Sequence, residues 1–257
     1  MKHLVTLIIV TIAIQNLQGQ ITKKYELPGF VQINDTLFVS KFETSIRDYA
    51  AFLLYLKKKQ KDSVLAEQSL PNPNTTDWTM LSFYKKTLTT FDNPLFELHD
   101  TSVSFTTVIG SLPVVNVSQK QASDYCNFKG LDYKIYLEKA KEKEKKKLPN
   151  SLFFRLLTKS EWAKAASFTA DTSNIICLQF FVRNSLEEMR PMSIFQGSKN
   201  EIGLFNMAGN VAELVLDTGK AFGGSFKDNL QNCNSTNEKD LRLGEHNVGF
   251  RIAAVVR

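Results

Sequence analysis

The C-terminal part of the chain is cut by glycine and asparagine into pieces too short for long helices or long strands. Asn200-Glu-Ile-Gly-Leu-Phe-Asn-Met-Ala-Gly-Asn-Val-Ala-Glu213 is followed by Phe222-Gly-Gly-Ser-Phe226 and Val248-Gly-Phe-Arg-Ile252. Glycine gives the backbone turns that other residues resist, and it weakens helix and strand interiors. These pieces therefore read as short strands between tight turns. Helical spacing is confined to earlier segments, which points to one α+β domain with long loops and no dividing linker. Of the 257 residues, 43% are apolar and 23% charged, with 12 Gly and 7 Pro. That balance excludes a collagen, a wholly disordered chain and a multi-span membrane protein. The 19 Phe supply large side chains for a core.

Residues 30–42 predict two short strands around an Asn34-Asp35 turn. Thr44 or Ser45 then caps a helix in which Ile46, Tyr49, Ala50 and Leu53 share a face, closed by the positive charge of Lys57 to Lys61. Residues 62–112 are poorly periodic and hold Pro71, Pro73 and Pro94, so they read as a long excursion. Leu112 to Val117 predicts a short strand. Ser118 and Gln121 form a capping box for a helix presenting Ala122, Tyr125 and Phe128. Residues 132–148 read as a charged helical insertion ended by Pro149. Leu152 to Leu157 is another apolar run, and Thr158 with Glu161 caps a helix carrying Trp162, Ala165 and Ala166. Residues 167–199 read as irregular.

The first residues stand apart. Met1-Lys2-His3 is basic, and Leu4 to Ile14 is nearly all apolar but too short to span a bilayer. This is the pattern of a signal peptide over residues 1–19, cut after Gly19, with residues 20–257 as the domain. The alternative is an uncleaved anchor. Cleavage would leave no membrane span and put the chain in a secreted, periplasmic or cell-envelope location. Cys126, Cys177 and Cys233 then allow at most one internal disulfide, whose pairing the sequence leaves open. The sequons at Asn34, Asn74, Asn116 and Asn234 matter only in a host that glycosylates exported chains. The net charge of +6 sits largely in Lys134 to Lys147, a solvated helix rather than a nucleic-acid surface.

Six blocks carry a more specific signal. They are Lys41-Phe-Glu-Thr-Ser45; Pro113-Val-Val-Asn-Val-Ser118 with Ala122, Tyr125 and Cys126; and Phe154-Arg-Leu-Leu-Thr-Lys-Ser-Glu-Trp-Ala-Lys-Ala-Ala166. Then come Asn200 with Gly203-Leu-Phe-Asn-Met-Ala-Gly-Asn-Val-Ala-Glu213, Gly223-Gly-Ser-Phe226, and Gly249-Phe-Arg251. In order and spacing they resemble the sulfatase-modifying-factor family, whose founding member is the formylglycine-generating enzyme. The resemblance implies a C-type-lectin-like α+β fold with short strands and long irregular loops. The chain departs from the family at Gln119 and Leu214, where tryptophan is usual, and at Leu157 and Lys159, where proline and glutamate are usual.

In that family two cysteines shortly after the Gly-Gly-Ser motif hold copper(I) and activate oxygen. Copper(I) is soft and prefers thiolates. The family spacing puts Asp228 at the first position and Cys233 at the second, so one sulfur is missing and copper is not expected. Cys233 would be catalytic only in an oxidase. Relatives that are iron-dependent sulfoxide synthases need a His-rich site, and the mature chain holds only His99 and His246. The resemblance also implies calcium at Asn210, Val211 and Glu213, through an amide oxygen, a main-chain carbonyl and a carboxylate; the alternative is a Gly-Asn turn with a hydrogen-bonded Glu. Arg155 and Arg251 read as cations that tie loops together, and Trp162 as core.

These features lead to a secreted non-catalytic module that binds a protein or glycan partner through residues 62–112 and 167–199. One alternative is a formylglycine-generating oxidase or related oxidoreductase with an altered metal site. A second is a subunit of a gliding or secretion assembly, a role some family members fill. A pair formed by the Cys177 and Cys233 sulfurs in an accessible cleft would favour the oxidase.

Overall fold

Asn34 shapes the first hairpin. Its Oδ1 accepts from the N–H groups of Thr36 (2.9 Å) and Leu37 (2.8 Å), an Asx turn that joins β1 (Phe30–Gln32) to β2 (Leu37–Ser40). The computed structural model describes residues 21–59, 63–71, 109–168, 171–185, 188–240 and 246–257. The expected signal peptide 1–19, most of the 62–112 excursion, Asn74 and His99 lie outside these residues.

After β2, Ser45 caps α1 (Ile46–Leu54) by accepting from Asp48 N–H at 3.1 Å. A π-helical turn, Tyr55–Lys59, prolongs it, and the short α2 (Ser63–Gln68) follows. The long α3 (Gln119–Lys139) starts at the expected Ser118–Gln121 capping box. It runs unbroken into the charged tract as far as Lys139, where extended backbone at Ala140 ends it. Tyr133 is buried on the core and its hydroxyl donates to the Pro149 carbonyl, a contact that the surrounding lysines hide from a reading of charge alone. The short α4 (Glu142–Lys145) completes the tract.

Next come β3 (Leu152–Leu156) and α5 (Lys159–Ala166), joined through the Thr158–Glu161 capping box. Glu161 also receives both Arg155 guanidinium arms, at 2.6 and 2.7 Å, so Arg155 fixes the entry to this helix. The segment read as irregular holds a 3-10 turn (Thr172–Asn174) and α6 (Leu178–Arg183), with Phe181 buried. A helix this short leaves too little periodic pattern to read in advance. The chain ends with β4 (Ala212–Leu214), β5 (Lys220–Phe222), β6 (Glu238–Asp240), β7 (Val248–Gly249) and β8 (Ile252–Val256).

Two four-stranded sheets result, ordered β1-β2-β8-β3 and β6-β5-β4-β7. The first is antiparallel and puts Ala253 opposite Val39 on one side and Arg155 on the other. In the second, β4 pairs parallel with β7, setting Glu213 opposite Gly249. Leu112 to Val117 is not a strand of either sheet. Pro113 has no N–H to donate and Asn116 sits at φ 61°, so the segment forms an isolated bridge to Ser45, through bonds with Thr44 and Ile46, and a single bond to Val248. The main core lies between the first sheet and helices α1 and α3. Tyr49 stacks on Tyr125 with ring centres 5.9 Å apart, and Phe250 meets Tyr125 edge-on at 5.5 Å.

Candidate functional site

The residues between β2 and α1 and those ahead of β4 meet in a buried polar cluster built around one cation. Arg251 follows β7 and is 1% exposed. All five of its N–H donors find acceptors. Nε donates to Glu213 Oε2 at 2.7 Å and Nη2 to Glu213 Oε1 at 2.5 Å. Nη2 also reaches the Phe205 carbonyl at 2.7 Å, while Nη1 bonds the carbonyls of Ser40 (3.1 Å) and Lys41 (3.3 Å). One side chain therefore ties the exit of β2, the 205 loop and β4 together. A buried guanidinium persists only with such complete partnering. Trp162 Nε1 donates to Glu213 Oε2 at 2.7 Å, so the Glu213 carboxylate has no free face.

Glu43 sits beside this pair and is 2% exposed. It accepts from Asn210 Nδ2 at 2.8 Å and Asn206 Nδ2 at 3.2 Å. Burial pushes its carboxyl up to about 7; the Arg251 charge opposes that rise, and the Glu213 charge adds to it. With Glu43 protonated, Arg251 and Glu213 balance and the cluster is neutral. Asn206 and Asn210 both occupy left-handed backbone, at φ 53° and 56°, a conformation asparagine tolerates. Asn206 Oδ1 is buried without a hydrogen-bond partner. A half-turn of that amide would present this oxygen to a proton on Glu43. Asn210 Oδ1 accepts from Met192 N–H at 2.9 Å.

The second part of the site is the loop after Gly223-Gly224. Asp228, which the sequence resemblance sets at the first thiol position, accepts from Ser225 Oγ at 2.6 Å. Cys233 is 4% exposed, with its sulfur 3.6 Å from the Ser225 carbonyl. Burial pushes its thiol up to about 12, and the neighbouring Cys177 and Asp228 add to the rise. Cys177, at the start of α6, is 2% exposed and packs with Cys233 and Ile175 in one small apolar cluster. No motif or spacing places Cys177 here; the fold does. Cys126 lies apart, in the main core.

The predicted residues thus divide into two places. Glu213 and Asn210 join the Arg251–Glu43 cluster, while Cys233 and Asp228 lie on the Gly-Gly loop. Two of the three calcium donors implied by the resemblance have protein partners: Asn210 those just given, and Glu213 the Arg251 and Trp162 donors. Val211 is buried against Gly249. His246 is exposed, with Nδ1 3.3 Å from Asn116 Nδ2. Among the described residues, no three His, Cys, Asp or Glu side chains gather as a metal-holding group. Glu43 and Asn206 were missed as participants. The available signal was an acidic residue at position 43 between apolar Phe42 and the helix cap, where burial is unusual for a carboxylate.

Comparison with known proteins adds the following. The family profile described as "Sulfatase-modifying factor enzyme 1-like domain" matches residues 18–256. A search of the curated proteins found no match. Among solved structures, the chain is similar to Treponema denticola variable protein 1, at 17% identity over 84% of each chain, with a TM-score of 0.47. It is similar to CarF at 16% identity, covering 86% of this chain and 87% of that one, with a TM-score of 0.43. It is also similar to PvdO from Pseudomonas aeruginosa at 16% identity, over 57% and 63% of the two chains, with a TM-score of 0.41.

Proposed function

Given that this chain belongs to the sulfatase-modifying factor enzyme 1-like domain family, we propose that it is an exported binding or scaffold module without the family's thiol-oxidising chemistry. The observation that carries this reading is Asp228. The family's copper position has a carboxylate there, and that carboxylate is already engaged by the Ser225 hydroxyl. A hard oxygen is a poor partner for copper(I). The donor set does not fit the family's copper chemistry.

One observation favours the alternative of an oxidase with an altered metal site: Cys177 brings a second sulfur to Cys233. Access weighs against it. Both cysteines are under 5% exposed, and a substrate thiol would need an open approach to the sulfurs. The same reading treats Asn210, Val211 and Glu213 as framework rather than as calcium ligands, because Arg251 already neutralises Glu213.

For the binding role, residues 167–199 supply a surface. Val182 is 73% exposed, Phe195 61% and Met189 48%. Exposed apolar side chains of this size suit a protein partner better than a glycan. Membership of a cell-envelope assembly is the finer version of this role. Among the described residues, no helix is long and apolar enough to cross a membrane.

The test incubates mature, reduced protein with copper, oxygen and a cysteine peptide of the sulfatase type, and weighs the peptide by mass spectrometry. The peptide is expected to keep its thiol mass. Formation of formylglycine would overturn the reading.

A further inference from the structure

Cys177 and Cys233 are far apart in sequence, yet a set of hydrogen bonds draws their two segments together. Leu178 N–H donates to the Asp228 carbonyl at 2.9 Å. Leu230 N–H donates to Gln179 Oε1 at 2.9 Å, and Gln179 Nε2 to Asn229 Oδ1 at 3.2 Å. The start of α6 is thus fastened to the loop that carries Cys233. Gly224 completes the approach. A Cβ there would stand 2.9 Å from Cys233 Cα and 3.0 Å from its sulfur, so the missing side chain lets Cys233 sit inward. The two thiols share one apolar cluster with Ile175, with Phe180 and Ala208 packed against it. Neither sulfur has a strong partner of its own. Each lies 3.6 Å from a single oxygen, Gln179 Oε1 for Cys177 and the Ser225 carbonyl for Cys233.

We propose that Cys177 and Cys233 are a disulfide-forming pair, which cross-links α6 to the Gly-Gly loop when the chain folds under oxidising conditions. Both cysteines are free in this structure. The step is a thiol–disulfide exchange with a low-molecular-weight disulfide. The two thiols lose two protons and two electrons and form one S–S bond; the oxidant's S–S bond takes up both and becomes two thiols. Burial keeps Cys233 protonated in the folded chain, so exchange belongs to folding or local opening, and the finished bond is shielded from reductants. Cys126 is excluded by its place in the main core. The cross-link would also withdraw Cys233 from any metal chemistry, and the inference goes beyond the binding role without resting on it.

The test refolds the full mature chain in a buffer of reduced and oxidised glutathione and traps free thiols by alkylation in denaturant. Peptides are then mapped by mass spectrometry with and without reduction. A Cys177–Cys233 linked peptide with Cys126 alone alkylated is the expected result. Three alkylated cysteines in natively folded protein, or a bridge involving Cys126, would overturn the proposal. Mapping uses the unmutated chain, so it does not depend on a variant folding. As a second readout, reduction should lower the thermal midpoint by about 5 °C or more, as closing a loop of this length implies. The Cys126→Ser variant should keep that shift, and Cys177→Ser should lose it. A shift that survives Cys177→Ser would also count against the pair.

Discussion

Replacing Glu43 with glutamine tests whether the buried cluster holds this carboxyl in its neutral form. Glu43 is held at about 7, against an ordinary value of 4.5. The folded chain therefore binds the Glu43 proton more tightly than the unfolded chain. The resulting stability is fully present below about pH 4.5 and is lost as pH rises through about 7. At about 1.4 kcal/mol per pH unit, the difference between the two values corresponds to about 3 kcal/mol, an upper figure for the proton on Glu43. Glu43→Gln mimics the protonated acid. Its amide can still accept from Asn210, and a half-turn of Asn206 brings the unpartnered Oδ1 round to accept from it. Denaturant unfolding of both proteins at pH 5 and pH 8 is the assay. The variant is expected to match the wild type within about 1 kcal/mol at pH 5 and to be about 2–3 kcal/mol more stable at pH 8. A difference independent of pH, or a variant that loses more at pH 8 than at pH 5, would refute the reasoning.

Three further outcomes follow from the same geometry. Arg251→Met leaves Glu213 buried without its cation and should cost about 3–5 kcal/mol in denaturant unfolding; a loss under about 1 kcal/mol would show that the pair is not what joins β2 to β4. Gly224→Ala places a methyl 2.6 Å from the Asn232 carbonyl on backbone at φ 69°, so unfolding should show a loss of about 1–3 kcal/mol; an unchanged midpoint would mean that the loop is free to move. Thermal melting with calcium and then with a chelator should give the same midpoint, because Glu213 is already neutralised. A rise with calcium would return Asn210, Val211 and Glu213 to the role of ligands.

Local features were the most legible in the sequence. Ser45, Ser118 and Thr158 all cap the helices expected of them, because a cap is set by residues within one turn. The Asn34 hairpin is equally local. The α+β class followed from the same short segments, and the six motif blocks pointed to the family now matched by its profile. What stayed hidden depends on contacts distant in sequence. Leu112 to Val117 has a strand's composition, but Pro113 and the left-handed Asn116 deny it a ladder. The pairing of Glu213 with Arg251 joins two motif blocks that read separately as a metal segment and a loop tie. Cys177 reaches Cys233 only because α6 folds back onto the Gly-Gly loop, and no spacing rule encodes that return.

Oxygen uptake by the reduced, copper-supplied protein in the presence of a cysteine peptide tests the loss of thiol oxidation most directly. The expected rate is that of the same copper and peptide without protein, unchanged by Cys233→Ser. A rate above that background which Cys233→Ser abolishes would contradict the account.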